Sequence, residues 1–88
     1  MSGQHNRERK VVLVTTLYDE HVQVQHGGGE DGPCDLCGAF LALLSTGVKA
    51  VPATDCTVHE LETLCKGVEP AAARRFRVFM YEKGAMDA

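Results

Sequence analysis

The segment Cys34-Asp35-Leu36-Cys37 limits the folds and functions open to this 88-residue chain more than any other feature. A β-branched run, Val11 to Thr16, lies before it, and a glycine-rich stretch ending in Gly32-Pro33 leads into it. After it, apolar residues recur at helical spacing: Leu36, Ala39, Phe40, Leu43 and Leu44. Two cysteines at the start of a helix that follows a strand are typical of a redox-active dithiol. The same two cysteines are also typical of one half of a zinc site.

The composition narrows the class of protein. The chain is 44% hydrophobic and 24% charged, which suits a globular protein of one small domain. Its formal net charge of -3 argues against nucleic acid as the main partner. No apolar stretch approaches the roughly 20 residues that span a membrane, and the polar amino terminus does not have the pattern of a secretory signal. We therefore predict a cytoplasmic protein with no membrane partner, in which cysteines are mostly reduced, catalytic or metal-bound.

The first part of the chain predicts a tail and a strand. Residues 1–9 are polar and are expected to form a disordered tail, whereas residues 10–88 are expected to form a single small α/β domain. The first strand is predicted from Lys10 to Leu17. Its unbroken apolar run, Val11 to Val14, favours a central strand covered on both faces.

The stretch from Tyr18 to Pro33 gives the least decisive pattern. Residues 21–25 alternate polar and apolar side chains, which indicates a short edge strand. Three glycines, residues 27–29, then predict a loop that either borders the dithiol or is a solvent-exposed insertion, and the insertion is favoured. His21 and His26 are accordingly expected in a solvated loop.

Two helices and two further strands are predicted after residue 33. The first helix should begin near Cys34 or Asp35 and stop at Gly47, and the segment Val48 to Ala53 should be a short or edge strand because Pro52 interrupts it. The second helix should begin at a capping box formed by Thr57 and Glu60 and end at Gly67. The last strand is predicted over residues 76–81. The resulting order of strand, helix, strand, helix, strand predicts an α/β domain with some parallel pairing.

The dithiol interpretation assigns different roles to the two cysteines. Cys34 lies where the helix begins, so unpaired backbone N–H groups should lower its pKa below the free-thiol value of roughly 8.5. Its thiolate would attack a disulfide, and Cys37, one turn further on, would resolve the mixed disulfide. Asp35 opposes this because its charge is negative, so a basic partner is expected from Lys10, Lys49 or Lys83.

Zinc binding is the alternative interpretation. After 18 residues, Cys34 and Cys37 are followed by Cys56 and His59, and Cys65 could replace His59. The intervening residues contain an apolar helix and a strand, so the chain is expected to build its core without a metal or other cofactor. Cys65 is expected to be buried on the apolar face of the second helix, and Cys56 is expected to be partly exposed.

Taken together, these features resemble the glutaredoxin-like branch of the thioredoxin fold. The similar parts are Val11 to Thr16, Pro33 to Cys37 with Leu43-Leu44, Gly47-Val48, Asp55, Glu60 to Leu64, and Arg77 to Met80. The resemblance implies a thioredoxin-like β-α-β-α-β core with a small mixed sheet, and thiol-disulfide exchange with Cys34 as nucleophile and Cys37 as resolving cysteine. It also implies a protein disulfide or partner protein as substrate. Glutathione is a weaker candidate, because the Gly-Gly pair that helps bind it is absent.

Two further interpretations stay open. The chain could keep a glutaredoxin-like fold for protein interaction alone, as the non-catalytic SH3-binding glutamic-acid-rich proteins do. If residues 21–25 instead form a hairpin with residues 11–17, the order of elements resembles a ubiquitin-like β-grasp. A β-grasp domain would bind a protein partner without any chemistry at its cysteines.

Overall fold

The computed structural model of the chain describes residues 9–27 and 34–86. The predicted tail lies outside these ranges except for Arg9, and so do glycines 28 and 29 of the predicted loop. Among the helices in the described ranges, none has the length and apolar character that a membrane crossing requires. The elements are, in chain order, β1 (Val11–Leu13), α1 (Val14–His26), α2 (Asp35–Ser45), β2 (Ala50–Pro52), α3 (Val58–Leu64) and α4 (Pro70–Glu82).

The sheet of the described residues has two strands, and they are antiparallel. Val12 of β1 lies opposite Val51 of β2, so the parallel pairing predicted for the strands is wrong here. A β-branched run favours extended backbone without dictating which strand pairs with it. Val11 and Leu13 are 61% and 54% exposed, so β1 is not a central strand covered on both faces.

Helix α1 begins at Val14, three residues before the predicted end of the first strand. Val14 and Leu17 are buried at helical spacing, and the helix continues through residues 21–25 to Gly27, where φ is +65°. The predicted edge strand at residues 21–25 is therefore wrong, and so is the hairpin that a β-grasp would need. The helical conformation of this segment places the rings of Tyr18 and His21 against Phe40 of α2.

Helices α2 and α3 confirm the predictions made from local signals. Helix α2 begins at Asp35 and ends at Ser45. Gly47 follows two residues later, and its φ of +91° is the left-handed conformation expected after a helix. At the start of α3, the Thr57 hydroxyl accepts the Glu60 N–H at 3.1 Å. The Glu60 carboxylate accepts the Thr57 N–H at 3.0 Å, which completes the capping box.

Helix α4 occupies the segment predicted as the last strand. Phe76 and Met80, four residues apart, are both buried, and Pro70 stands at the first position of the helix. Residues 76–81 are mostly apolar, and the segment is short enough to fit either a strand or one face of a helix. The prediction of a strand at residues 76–81 is therefore wrong.

The core lies between α2 and α4. The Phe40 ring contacts Phe76 and Phe79, with ring centroids 6.1 and 5.1 Å apart and nearly perpendicular planes. Cys65 is buried, as predicted, whereas Cys56 is fully buried rather than partly exposed. The described residues thus form a small mixed α/β fold of four helices and one two-stranded sheet. Its order of elements differs from the predicted strand, helix, strand, helix, strand.

Candidate metal centre

Two helices bring four potential metal ligands together. His21 and His26 lie on the carboxyl-terminal part of α1, and Cys34 and Cys37 lie at the start of α2. Three residues of separation place the two cysteines on one face of a helix. Since α1 packs against α2 through Tyr18 and His21, the end of one helix faces the beginning of the other.

One ligand atom from each of these side chains lies within 4.8 Å of the other three. His21 Nε2 is 3.3 Å from Cys34 Sγ, and His26 Nε2 is 3.4 Å from Cys37 Sγ. In a tetrahedral zinc site, ordinary Zn–S and Zn–N bond lengths place sulfur and nitrogen about 3.5 Å apart, and two sulfurs about 3.8 Å apart. The two nitrogen–sulfur distances therefore match a zinc tetrahedron, and no pair of ligand atoms lies more than about 1 Å beyond its sulfur–sulfur edge.

The site lies where the apolar core meets the surface. Cys37 is only 3% exposed, whereas Cys34, His21 and His26 are half-buried. The His21 ring packs against the core ring of Phe40, with centroids 5.8 Å apart. On its open side, the cluster lines a cleft of about 510 Å³. The buried side restricts the side chains, and the open side gives an ion or a small molecule access to Cys34.

The surroundings of Cys34 favour its thiolate. Its pKa is lowered from 9.0 to about 6, chiefly because the Cys37 backbone N–H donates a hydrogen bond to its sulfur. Partial burial opposes this shift, while hydrogen bonds from His21 and His26 add to it. The predicted lowering of the pKa is confirmed. The polar partners that assist it are imidazoles rather than Lys10, Lys49 or Lys83.

The other two cysteines lie apart from this cluster. Burial raises the pKa of Cys56 and of Cys65, which suits apolar packing and disfavours a thiolate ligand. Cys56 Sγ donates a hydrogen bond to the Thr57 carbonyl at 3.5 Å, and His59 is exposed on α3. The cluster of ligands within residues 9–27 and 34–86 thus contains Cys34 and Cys37 of the set predicted for zinc, but not Cys56 or His59.

Sequence reasoning missed His21 and His26 as site residues. It assigned residues 21–25 to a strand, and the two imidazoles were then expected in solvent. A usable signal was nevertheless present, because two histidines separated by four residues precede the Cys-x-x-Cys pair across a glycine-rich stretch. Two short ligand pairs joined by an intervening segment are typical of zinc sites.

The composition of the cluster suits one class of metal. Two imidazoles and two thiols are ligands for zinc or another soft transition metal, whereas calcium and magnesium prefer oxygen. The four side chains therefore form a candidate zinc centre on geometric and chemical grounds. No protein-family model, curated protein or solved structure matches the chain.

Proposed function

We propose that this protein binds one zinc ion through His21, His26, Cys34 and Cys37. The convergence of their four ligand atoms within 4.8 Å carries the proposal. His26 Nε2 lies 3.4 Å from the buried sulfur of Cys37. A redox-active dithiol does not require this second imidazole, whereas a four-ligand metal site does. Two thiolates and two neutral imidazoles would balance the charge of a zinc ion, so the ion could lie at the edge of the core.

The proposed ion has a structural role. Four protein ligands complete a tetrahedral coordination shell and leave no position for a reacting water, which distinguishes structural from hydrolytic zinc. The ion would join the end of α1 to the beginning of α2. The buried cluster around Phe40 contains none of the four ligands, although Cys34 and His21 pack against it and Cys37 is itself buried, so the metal-free protein is still expected to fold. On this basis the protein is a small zinc-stabilised module.

Metal content and ligand identity test this proposal together. The reduced, purified protein should contain one zinc per chain by elemental analysis. Replacement of zinc by Co²⁺ should give the visible absorption of tetrahedral cobalt with thiolate ligands. His21→Ala should abolish this spectrum, whereas the matched variant His59→Ala should keep it. A protein without stoichiometric metal, or a spectrum that depends on His59, would contradict the proposal.

Thiol-disulfide exchange is the second candidate function. It is favoured by one specific observation: Cys34 is half-buried at the start of α2 and has a pKa lowered to about 6. Its thiolate would attack a protein disulfide and release one substrate thiol, and Cys37 would then displace the second thiol. This function is the one that a glutaredoxin-like, thioredoxin-like protein would have, with glutathione as a weaker candidate substrate.

The two functions make opposite demands on the thiols. Bound zinc would engage both sulfurs, so exchange requires metal-free protein. Exchange should be lost in Cys34→Ser, and Cys37→Ser should accumulate a mixed disulfide. Metal-free wild-type protein that is no faster than Cys34→Ser would leave zinc binding as the only function supported by the cluster.

A further inference from the structure

We propose that this zinc centre is also an oxidative switch: a hydroperoxide converts Cys34 and Cys37 to a disulfide and thereby releases the ion. The inference rests on the proposed zinc site and adds its regulation. It is drawn from three features of the cluster, namely the unequal exposure of the two sulfurs, their separation by one helical turn, and the kind of ligand that remains after oxidation.

The two sulfurs differ in their access to a small oxidant. Cys34 is half-buried and lines two clefts, of about 510 and 600 Å³. Cys37 is only 3% exposed. A hydroperoxide entering either cleft therefore meets the Cys34 sulfur first. Of the remaining thiols, Cys56 is fully buried and Cys65 is only 8% exposed, so Cys34 is the most accessible of the four cysteines.

The chemistry needs no reagent beyond the hydroperoxide. With hydrogen peroxide as the hydroperoxide, the Cys34 sulfur attacks one oxygen, the O–O bond breaks, and the products are a sulfenic acid and hydroxide, which takes a proton from solvent to become water. The Cys37 sulfur then forms an S–S bond to Cys34 and displaces hydroxide, which takes a proton to become a second water. The two sulfurs lose one electron each, and the two peroxide oxygens gain them. Zinc keeps its 2+ charge throughout.

The geometry allows the second step without refolding. The two sulfurs already lie within 4.8 Å of each other, and a disulfide needs about 2.05 Å. Cys34 precedes α2 in extended backbone, with φ -157° and ψ 125°, and its carbonyl accepts the Gly38 N–H at 3.0 Å, so its sulfur would approach Cys37 by rotation of the side chain. The disulfide would therefore form at the start of α2 while the rest of that helix stays in place.

Oxidation leaves too few ligands to retain the ion. The disulfide removes both thiolates, and His21 and His26 would remain as two neutral imidazoles. Helix α1 would still be anchored, because Tyr18 packs against Phe40 with ring centroids 5.9 Å apart. The switch is therefore expected to release zinc and loosen the end of α1, but not to unfold the core.

Peroxide titration of the zinc-loaded full chain tests the switch. Released zinc is followed with a coloured chelator, and disulfides are mapped by mass spectrometry without reduction. We expect one zinc released for each Cys34–Cys37 disulfide formed, and rebinding after a phosphine reductant is added. Zinc that stays bound after this disulfide forms would overturn the proposal. So would release while Cys34 and Cys37 remain reduced.

Two variants sharpen the result. Cys34→His offers an imidazole in place of the thiolate and prevents the disulfide. The rate at which peroxide releases zinc from this variant should therefore be at least about tenfold lower than from wild type. Cys65→Ala should release zinc at the wild-type rate; slower release would contradict the assignment. If Cys34→His takes up no zinc, the disulfide map of the wild-type protein decides the question. If the proposed zinc binding itself is wrong, the protein will contain no zinc before any peroxide is added. That result is therefore distinct from a failure of the switch.

Discussion

The chain contains two pairs of cysteines whose surroundings differ. Cys34 and Cys37 lie at the start of α2 beside two imidazoles and a cleft, whereas Cys56 and Cys65 are buried around α3. The pKa of Cys34 is lowered, and burial raises the pKa of both Cys56 and Cys65. Residue type is the same in the two regions, so the difference comes from hydrogen-bond donors, access to solvent and neighbouring ligands. The first pair is thus suited to metal or redox chemistry, and the second to packing.

Zinc affinity should separate the two regions most strongly. Cys37→Ser removes a thiolate from the proposed ligand set, so zinc affinity should fall by roughly 100-fold or more. Cys65→Ala leaves the set intact and should change affinity by less than about threefold. Competition with a chelator of known affinity measures both. An equal loss of zinc affinity in Cys37→Ser and Cys65→Ala would contradict the assignment of the metal site to the first pair of cysteines.

Alkylation of the metal-free, reduced protein should rank the thiols in the same order. Because the pKa of Cys34 is lowered to about 6, its reaction with iodoacetamide should rise with pH around pH 6 and level off above pH 7. Cys56 and Cys65 are buried and their pKa values are raised, so at pH 7 they should react at least about tenfold more slowly. Mass spectrometry of peptides after timed labelling gives each rate. A faster reaction at Cys56 would contradict the assignment of the reactive site.

Stability should show the reverse ranking. Cys56→Ser places a hydroxyl in a fully buried position and should lower the free energy of unfolding of the metal-free protein by roughly 1–3 kcal/mol. Cys34 is half-buried at a helix start. At pH 5, where its thiol is protonated in both the folded and the unfolded protein, Cys34→Ser should change this free energy by about 0.5 kcal/mol or less. Urea denaturation of the metal-free variants measures both values. A larger cost at Cys34 than at Cys56 would show that the first pair supports the core.

The smallest effect concerns the ion pair beside Cys56. The Arg9 guanidinium donates to the Glu60 carboxylate, which also accepts the Thr57 N–H, and these contacts lower the pKa of Glu60 from 4.5 to about 2. A lowered folded-state pKa stabilises the fold above about pH 4.5, and this contribution is lost as pH falls towards 2. Glu60→Gln keeps a side-chain oxygen for the Thr57 N–H but removes the charge. Wild type should therefore be more stable than the variant at pH 7, and the two should converge near pH 2. A constant difference across this range would assign the effect to the capping box alone.

Sequence alone predicted the elements that depend on local signals. The capping box of Thr57 and Glu60 starts α3, and Gly47 follows α2 in the left-handed conformation. The start of α1 and the helical state of α4 could not be predicted in this way, because Val14 to Leu17 and residues 76–81 are short segments rich in β-branched or aromatic residues that fit a strand or a helix. Packing around Phe40 decides both, and that packing is a tertiary property.

The candidate site shows the same division. Cys34 and Cys37 were predicted, and the lowered pKa of Cys34 follows from its place at a helix start. His21 and His26 could not be assigned with the strand prediction in place, because their contact with the sulfurs depends on α1 being a helix that packs against α2. The predicted ligands Cys56 and His59 had suitable spacing along the chain, but the fold places them elsewhere.

Zinc X-ray absorption on the reduced, zinc-loaded protein tests the central claim most directly. It reports the kind, number and distance of the atoms bound to the ion. The proposed centre predicts two sulfurs at about 2.3 Å and two imidazole nitrogens at about 2.0–2.1 Å. Loss of one nitrogen in His26→Ala, with no change in His59→Ala, would identify the ligands. A shell of three sulfurs or of oxygen atoms, or a spectrum unaffected by His26→Ala, would contradict the proposed centre.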